Sequence, residues 1–133
     1  MHLIRRVGTV AVWFLQALLA LAFTLIGVAK FADPSWARSF ARWGYPDGFY
    51  LVVGVLEAAG GLALLVPRLA SWAAVMLGAI MLAASVTHFV HGEMNRVTPP
   101  LMYLAVVAIV GLARRRAAWR PRVSRRAVAA GPM

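Results

Sequence analysis

The chain contains no cysteine and only four acidic residues among 133. Without thiols there is no disulfide, no thiol–disulfide exchange, no cysteine-ligated zinc and no iron–sulfur cluster. Charge is scarce overall, and what there is leans to +10 net. Asp, Glu, Lys and Arg make up 14% of the residues, against about 25% in an ordinary soluble domain, too few to solvate a globular surface. Gly-rich phosphate loops, a dinucleotide fingerprint and a nucleophile elbow are also missing. What the chain has in excess is apolar surface: 62% of its residues are hydrophobic, and its mean hydropathy is +0.78. Its length and composition describe a single-domain integral membrane protein.

Four apolar runs follow one another, at about 8–32, 49–66, 69–90 and 99–113. A hydrocarbon core of about 30 Å takes roughly 20 apolar residues in a helix, and lipid leaves no backbone group unpaired, which favours helices over strands. The expected fold is all-α, a transmembrane four-helix bundle over residues 1–113. Pro67 turns the second run into the third, so those helices should be antiparallel neighbours. Pro99 and Pro100 suit a first helical turn, where a missing N–H is no loss. Arg5 and Arg6 precede the first run, but that run is longer than the roughly 7–15 residues of a signal peptide's apolar region, so an uncleaved spanning helix is expected.

The basic residues set the expected orientation. With the N-terminus inside, Arg5, Arg6, Arg68, Arg114, Arg115, Arg116, Arg120, Arg122, Arg125 and Arg126 are cytoplasmic, and Arg38, Arg42 and Arg96 lie outside. Both termini are then cytoplasmic. The alanine content and the preference for arginine over lysine suit a GC-rich bacterial genome, and the expected location is the bacterial plasma membrane. Residues 114–133 read as a basic cytoplasmic tail that is either a site for anionic lipid, nucleic acid or a partner or, as favoured here, a disordered segment that stops transfer at the lipid headgroups. Trp119 is the only aromatic residue there, so it offers no stacking platform and nucleic acid is not an expected partner.

Ionisable residues in lipid are costly and tend to be paired or functional. Lys30 and Glu57 fall within the apolar runs, with His88 as a third titratable group. Helical side chains lean toward their own N-terminus, so Lys30 and Glu57 on oppositely directed helices lean toward each other. An ion pair is expected, with His88 as a third member. Gly54 and Gly61 share the helical face of Glu57 and let another helix approach it closely. The group serves either as an ion pair that fixes helix register or as a site that binds a ligand and exchanges protons. His88 is the only histidine well inside a run, so a bis-His haem is not expected. The grouping of His88, His91 and Glu93 is too weak a pattern to predict a metal site.

The first outside loop, 33–48, predicts a short interfacial helix. Asp33 suits an N-cap and Pro34 a first helical residue, while Trp36, Phe40 and Trp43 share one side. Gly44 ends it, and Tyr45-Pro46-Asp47-Gly48 turns into the next helix. Asp33, Trp36, Trp43 and Tyr45 form either a lid over the Lys30–Glu57 region or an interfacial belt of anchors.

Gly27-Val-Ala-Lys30-Phe-Ala-Asp33-Pro, Val53-Gly-Val-Leu-Glu57-Ala-Ala-Gly60-Gly61 and Thr87-His88 together resemble the DoxX-like family of small membrane proteins, over about residues 12–113. The resemblance implies a four-helix bundle with polar positions at Lys30, Glu57 and His88. It also implies an association with quinol oxidase and thiosulfate:quinone oxidoreductase complexes. The expected function is an accessory subunit of a quinone-linked redox system. It would have no intrinsic cofactor, a quinone as bound ligand and a redox enzyme as partner. The alternative is a non-enzymatic scaffold or assembly factor for another membrane protein. The sequence leaves open whether the chain is itself an enzyme and whether it forms a homodimer.

Overall fold

Pro67 decides the middle of the fold. The computed structural model describes residues 1–118, which form helices α1 (His2–Ala32), α2 (Ser35–Arg42), α3 (Phe49–Ala63), α4 (Pro67–Val90) and α5 (Thr98–Ala118). A single 3-10 turn, Met94–Arg96, leads into α5. Among the described residues three helices are long and apolar enough to cross a membrane: His2–Ala32, Pro67–Val90 and Met94–Arg116. This corrects the expectation of four spanning helices. α3 has 15 residues, about 22 Å of helix at 1.5 Å per residue, short of a hydrocarbon core of about 30 Å.

The missing length lies in Leu64, Leu65 and Val66. These are apolar and count toward a span when read along the chain. In the fold they make the turn, with Leu65 N–H donating to Leu62 O and Val66 N–H to Ala63 O. A residue ahead of proline is pushed out of the α region, and Val66 is extended at φ −97° and ψ 110°. Pro67 then opens α4, where its absent N–H costs nothing. At the other end of the chain, α5 runs on to Ala118. Arg114, Arg115 and Arg116 are therefore helical rather than part of a disordered tail. The rest of the expected tail, 119–133, lies outside the described residues.

The helices pack most closely as two antiparallel pairs, α1 with α3 and α4 with α5. Lipid tails are as apolar as leucine, so helices in a membrane gain little from hiding apolar side chains and associate by close backbone approach. Accordingly, Leu21, Leu25, Val75, Leu82 and Ile109 remain on the outer surface. Gly61 of α3 fits against Ala20 and Thr24 of α1, and Gly111 of α5 against Ala74 of α4. The two pairs meet over a shared core of Leu19, Phe23, Leu64, Leu77, Met81, Val107 and Val110.

α3 ends inside the bundle, where its last carbonyls have no water to turn to. Gln16 of α1, fully buried, donates from Nε2 to Leu64 O at 2.6 Å. Its Oε1 accepts from Arg114 Nε of α5 at 2.8 Å. The short helix is thus closed by Gln16, which Arg114 of α5 holds in place. Asp33 acts one residue earlier than a standard N-cap: its carboxylate accepts from Ser35 N–H at 2.8 Å at the start of α2. That N–H is the main reason its carboxyl sits below the ordinary value, and the Ser35 hydroxyl and Arg38 charge act in the same direction.

Candidate functional site

Lys30 sits near the C-terminal end of α1 and Glu57 midway along α3. Lys30 Nζ meets Glu57 Oε2 at 2.6 Å, and both side chains are 3% exposed. They meet because Gly54, one turn before Glu57, admits the α1 backbone: a Cβ there would lie 3.1 Å from the Lys30 Cβ. The ammonium also lies 4.0 Å from the centre of the Trp36 ring of α2, a cation–π contact that strengthens when water is excluded. Neither of the remaining Lys30 N–H bonds nor Glu57 Oε1 has a hydrogen-bond partner among the described residues.

The pair lines a cavity of about 720 Å³ between the two helix pairs and beneath α2. Small-ligand sites commonly span roughly 300–1,000 Å³, with mainly apolar walls and a few convergent polar groups. Here the walls include Ile26, Val53, Leu56, Ile80 and Met81, and the roof is aromatic. Phe40 is buried at the centre of that roof, with the rings of Trp36, Trp43, Tyr45, Phe49 and Tyr50 between 5.3 and 6.4 Å away. The apolar side of α2 is therefore folded onto α3 and the cavity, and Trp36, Trp43 and Tyr45 all face inward as lining residues. Asp33, by contrast, is exposed and caps α2 without reaching the cavity.

His88 lines the same cavity but does not join Lys30 and Glu57. Its Nδ1 is 2.6 Å from Glu93 Oε2, across the turn after α4. Arg42 of α2 reaches the other oxygen of Glu93 at 2.9 Å. The hydrogen bond from His88 does most to hold the Glu93 carboxyl below its ordinary value, and the Arg42 and Arg96 charges lower it further against the opposing effect of burial. Glu93 is thereby ionised, and the Nδ1 of His88 carries the proton it donates. Trp43 stands edge-on to the His88 ring at 5.1 Å.

A further tie joins the end of α2 to α4. Thr87 gives its single hydroxyl proton to Ala83 O at 2.8 Å. Tyr45 is therefore the donor in its 2.6 Å contact with Thr87 Oγ1. Through Arg42 and Tyr45, the roof is latched to the far helix pair.

Several lining residues carried no signal in the sequence. Tyr103 of α5 packs its ring 5.4 Å from Phe23. Its hydroxyl has no hydrogen bond among the described residues. Asn95 and Arg96 line the cavity from the turn before α5. Their sequence context is an ordinary polar loop, and only the fold of that loop over the cavity gives them a role. Glu93 was legible only as a weak metal ligand. Among the described residues no cluster of three His, Cys, Asp or Glu has metal-binding geometry.

A family model described as the DoxX-like family matches residues 14–110, which include all five helices in whole or part and every residue of the Lys30, Glu57 and His88 set. No curated protein and no solved structure matches the chain.

Proposed function

This chain belongs to the DoxX-like family, and we propose that it holds the polar head of a membrane-soluble quinone in the cavity beneath α2, as an accessory subunit of a quinone-linked redox system in a bacterial plasma membrane. The observation that carries this reading is the buried Lys30–Glu57 pair set in the wall of a large, mostly apolar cavity. A buried ion pair that served only as a helix clamp would need no cavity beside it.

The residues fit such a ligand. Lys30 has two N–H bonds left to donate to a carbonyl oxygen, and Glu57 Oε1 is left to accept from a hydroxyl. Trp36, Phe40 and Trp43 offer aromatic faces for a flat ring. The exposed apolar surfaces of the helices suit a tail lying in lipid. When bound, a quinone supplies the redox chemistry. Lys30 orients its head, Glu57 exchanges a proton with it, and α2 keeps water out. Electrons come from a partner subunit.

The test compares organic extracts of gently purified wild type and a folded Glu57→Gln variant by mass spectrometry. Quinone enriched in wild type alone supports the proposal. No enriched quinone in folded wild type overturns it and favours a scaffold for another membrane protein.

A further inference from the structure

The four acidic residues of the chain are Asp33, Asp47, Glu57 and Glu93. Asp33 and Asp47 flank α2, Glu93 belongs to the turn above the cavity, and Glu57 is already paired with Lys30. All the negative charge therefore lies toward the α2 end of the bundle. The opposite end is formed by the α3–α4 turn and the last turns of α5, and it carries Arg68, Arg114, Arg115 and Arg116. From Thr98 at the cavity end to Arg114, α5 climbs about 24 Å at 1.5 Å per residue.

Arg114 differs from its neighbours. Arg115 and Arg116 are exposed, whereas Arg114 is half-buried and held on two sides. Its Nε donates to Gln16 Oε1 at 2.8 Å, and its guanidinium carbon lies 4.8 Å from the centre of the Trp13 ring. Nη2 is covered by protein and has no acceptor. No carboxylate pairs with this guanidinium among the described residues. Positive charge held half out of water without an internal anion is stabilised by one from outside. All four acidic side chains of the sequence lie elsewhere, so none of them supplies it.

We propose that Arg114, fixed by Gln16 and Trp13 at the end of the bundle opposite the cavity, binds the phosphate of an anionic phospholipid headgroup. Gln16 takes Nε, Trp13 lies against one face and Nη2 is covered, so Nη1 is the donor left for a phosphate oxygen. Guanidinium and phosphate match as charge-assisted hydrogen-bonding partners. Trp13 belongs to the residue type that settles at headgroup level. Arg68, Arg115 and Arg116 raise the local positive potential and draw anionic lipid to the same face. This site does not depend on what the cavity binds.

The test counts lipid bound to delipidated, detergent-purified full-length protein by native mass spectrometry. Phosphatidylglycerol and phosphatidylcholine of equal chain length are titrated separately. Both lipids carry a phosphodiester, but the choline cation offsets its charge in phosphatidylcholine, so the wild type should retain phosphatidylglycerol about fivefold better, the ratio that one basic residue at an anionic surface provides. Arg114→Gln should reduce that preference to near unity, while the double variant Arg115→Gln/Arg116→Gln keeps most of it. Equal retention of the two lipids by wild type overturns the proposal without any variant. An equal loss in the double variant overturns it as well, since the effect is then general charge. If Arg114→Gln does not fold, Arg114→Lys keeps the charge but loses the planar donors, and it should show a smaller preference. Unchanged preference in the lysine variant overturns the role of the fixed guanidinium. Inorganic phosphate alone should leave the thermal transition of wild type in place. A shift equal to that from phosphatidylglycerol overturns the lipid as the source of the phosphate.

Discussion

Gly27 of α1 and Gly54 of α3 face each other so closely that a Cβ on Gly27 would lie 2.5 Å from Gly54 O, and a Cβ on Gly54 would lie 2.9 Å from Gly27 O. The contact is reciprocal and involves backbone on both sides, so neither partner can rotate away. One turn further along α1 stands Lys30, and one turn further along α3 stands Glu57. The glycine contact thus sets the separation at which the ion pair forms.

Gly27→Leu should therefore force the two helices apart and part Lys30 from Glu57. Overpacking of this kind costs about 1–3 kcal/mol or more, to which the disrupted ion pair adds. Gly8→Ala is the control, because a Cβ there meets nothing within 4 Å; it should be neutral or stabilise by about 0.5–1 kcal/mol. Thermal unfolding in detergent measures both. Equal transitions for the two variants would show that the glycine contact does not position the pair.

Lys30→Met and Glu57→Leu should each destabilise by about 3–5 kcal/mol, since either leaves an uncompensated buried charge. The double variant removes both charges and should be more stable than either single variant. Chemical unfolding of all four proteins closes the cycle. A double variant whose loss equals the sum of the singles would mean that the two groups do not interact energetically.

Acid should loosen the roof. The Glu93 carboxyl has a lowered value in the folded protein, so its ties to Arg42 and His88 contribute fully above the ordinary glutamate value. That contribution is lost as pH falls through the lowered native value. Trp43, which stands against His88, should report the change as a shift in tryptophan emission during acid titration. Glu93→Gln should abolish that step. An identical step in the variant would assign it to another group.

Gln16→Ala should strike both halves of the far end. Leu64 O loses its donor and Arg114 Nε its acceptor, and each buried group left unsatisfied costs about 1–3 kcal/mol. Hydrogen exchange should show faster opening at the C-terminal turn of α3 than in wild type, with the Lys30 end of α1 unchanged. Protection that falls equally along the whole of α3 would show that Gln16 does not act as a local cap.

Composition by itself determined that the protein belongs in a membrane, because so few charges cannot solvate a surface and the apolar runs are too long for a small soluble core. Residue spacing also pointed to Lys30 facing Glu57, since helix periodicity and small neighbours are local properties that can be counted along the chain. The helix in the first loop was legible for the same reason, from its capping residues and its aromatic side.

Only the tertiary structure decided the rest. It shortened α3, because the apolar run through Val66 gives no sign that its last residues are spent on a turn ahead of Pro67. It gave His88 to Glu93 rather than to the Lys30 pair, because the turn after α4 folds back to place that carboxylate nearer. It joined Gln16, Leu64 and Arg114, residues far apart in sequence, around one buried carbonyl. It also set Tyr103 and Arg96 around the cavity. A run or a period is fixed by neighbours along the chain, whereas the partner of a polar side chain is fixed by which helices approach each other and by which backbone groups they leave unsatisfied.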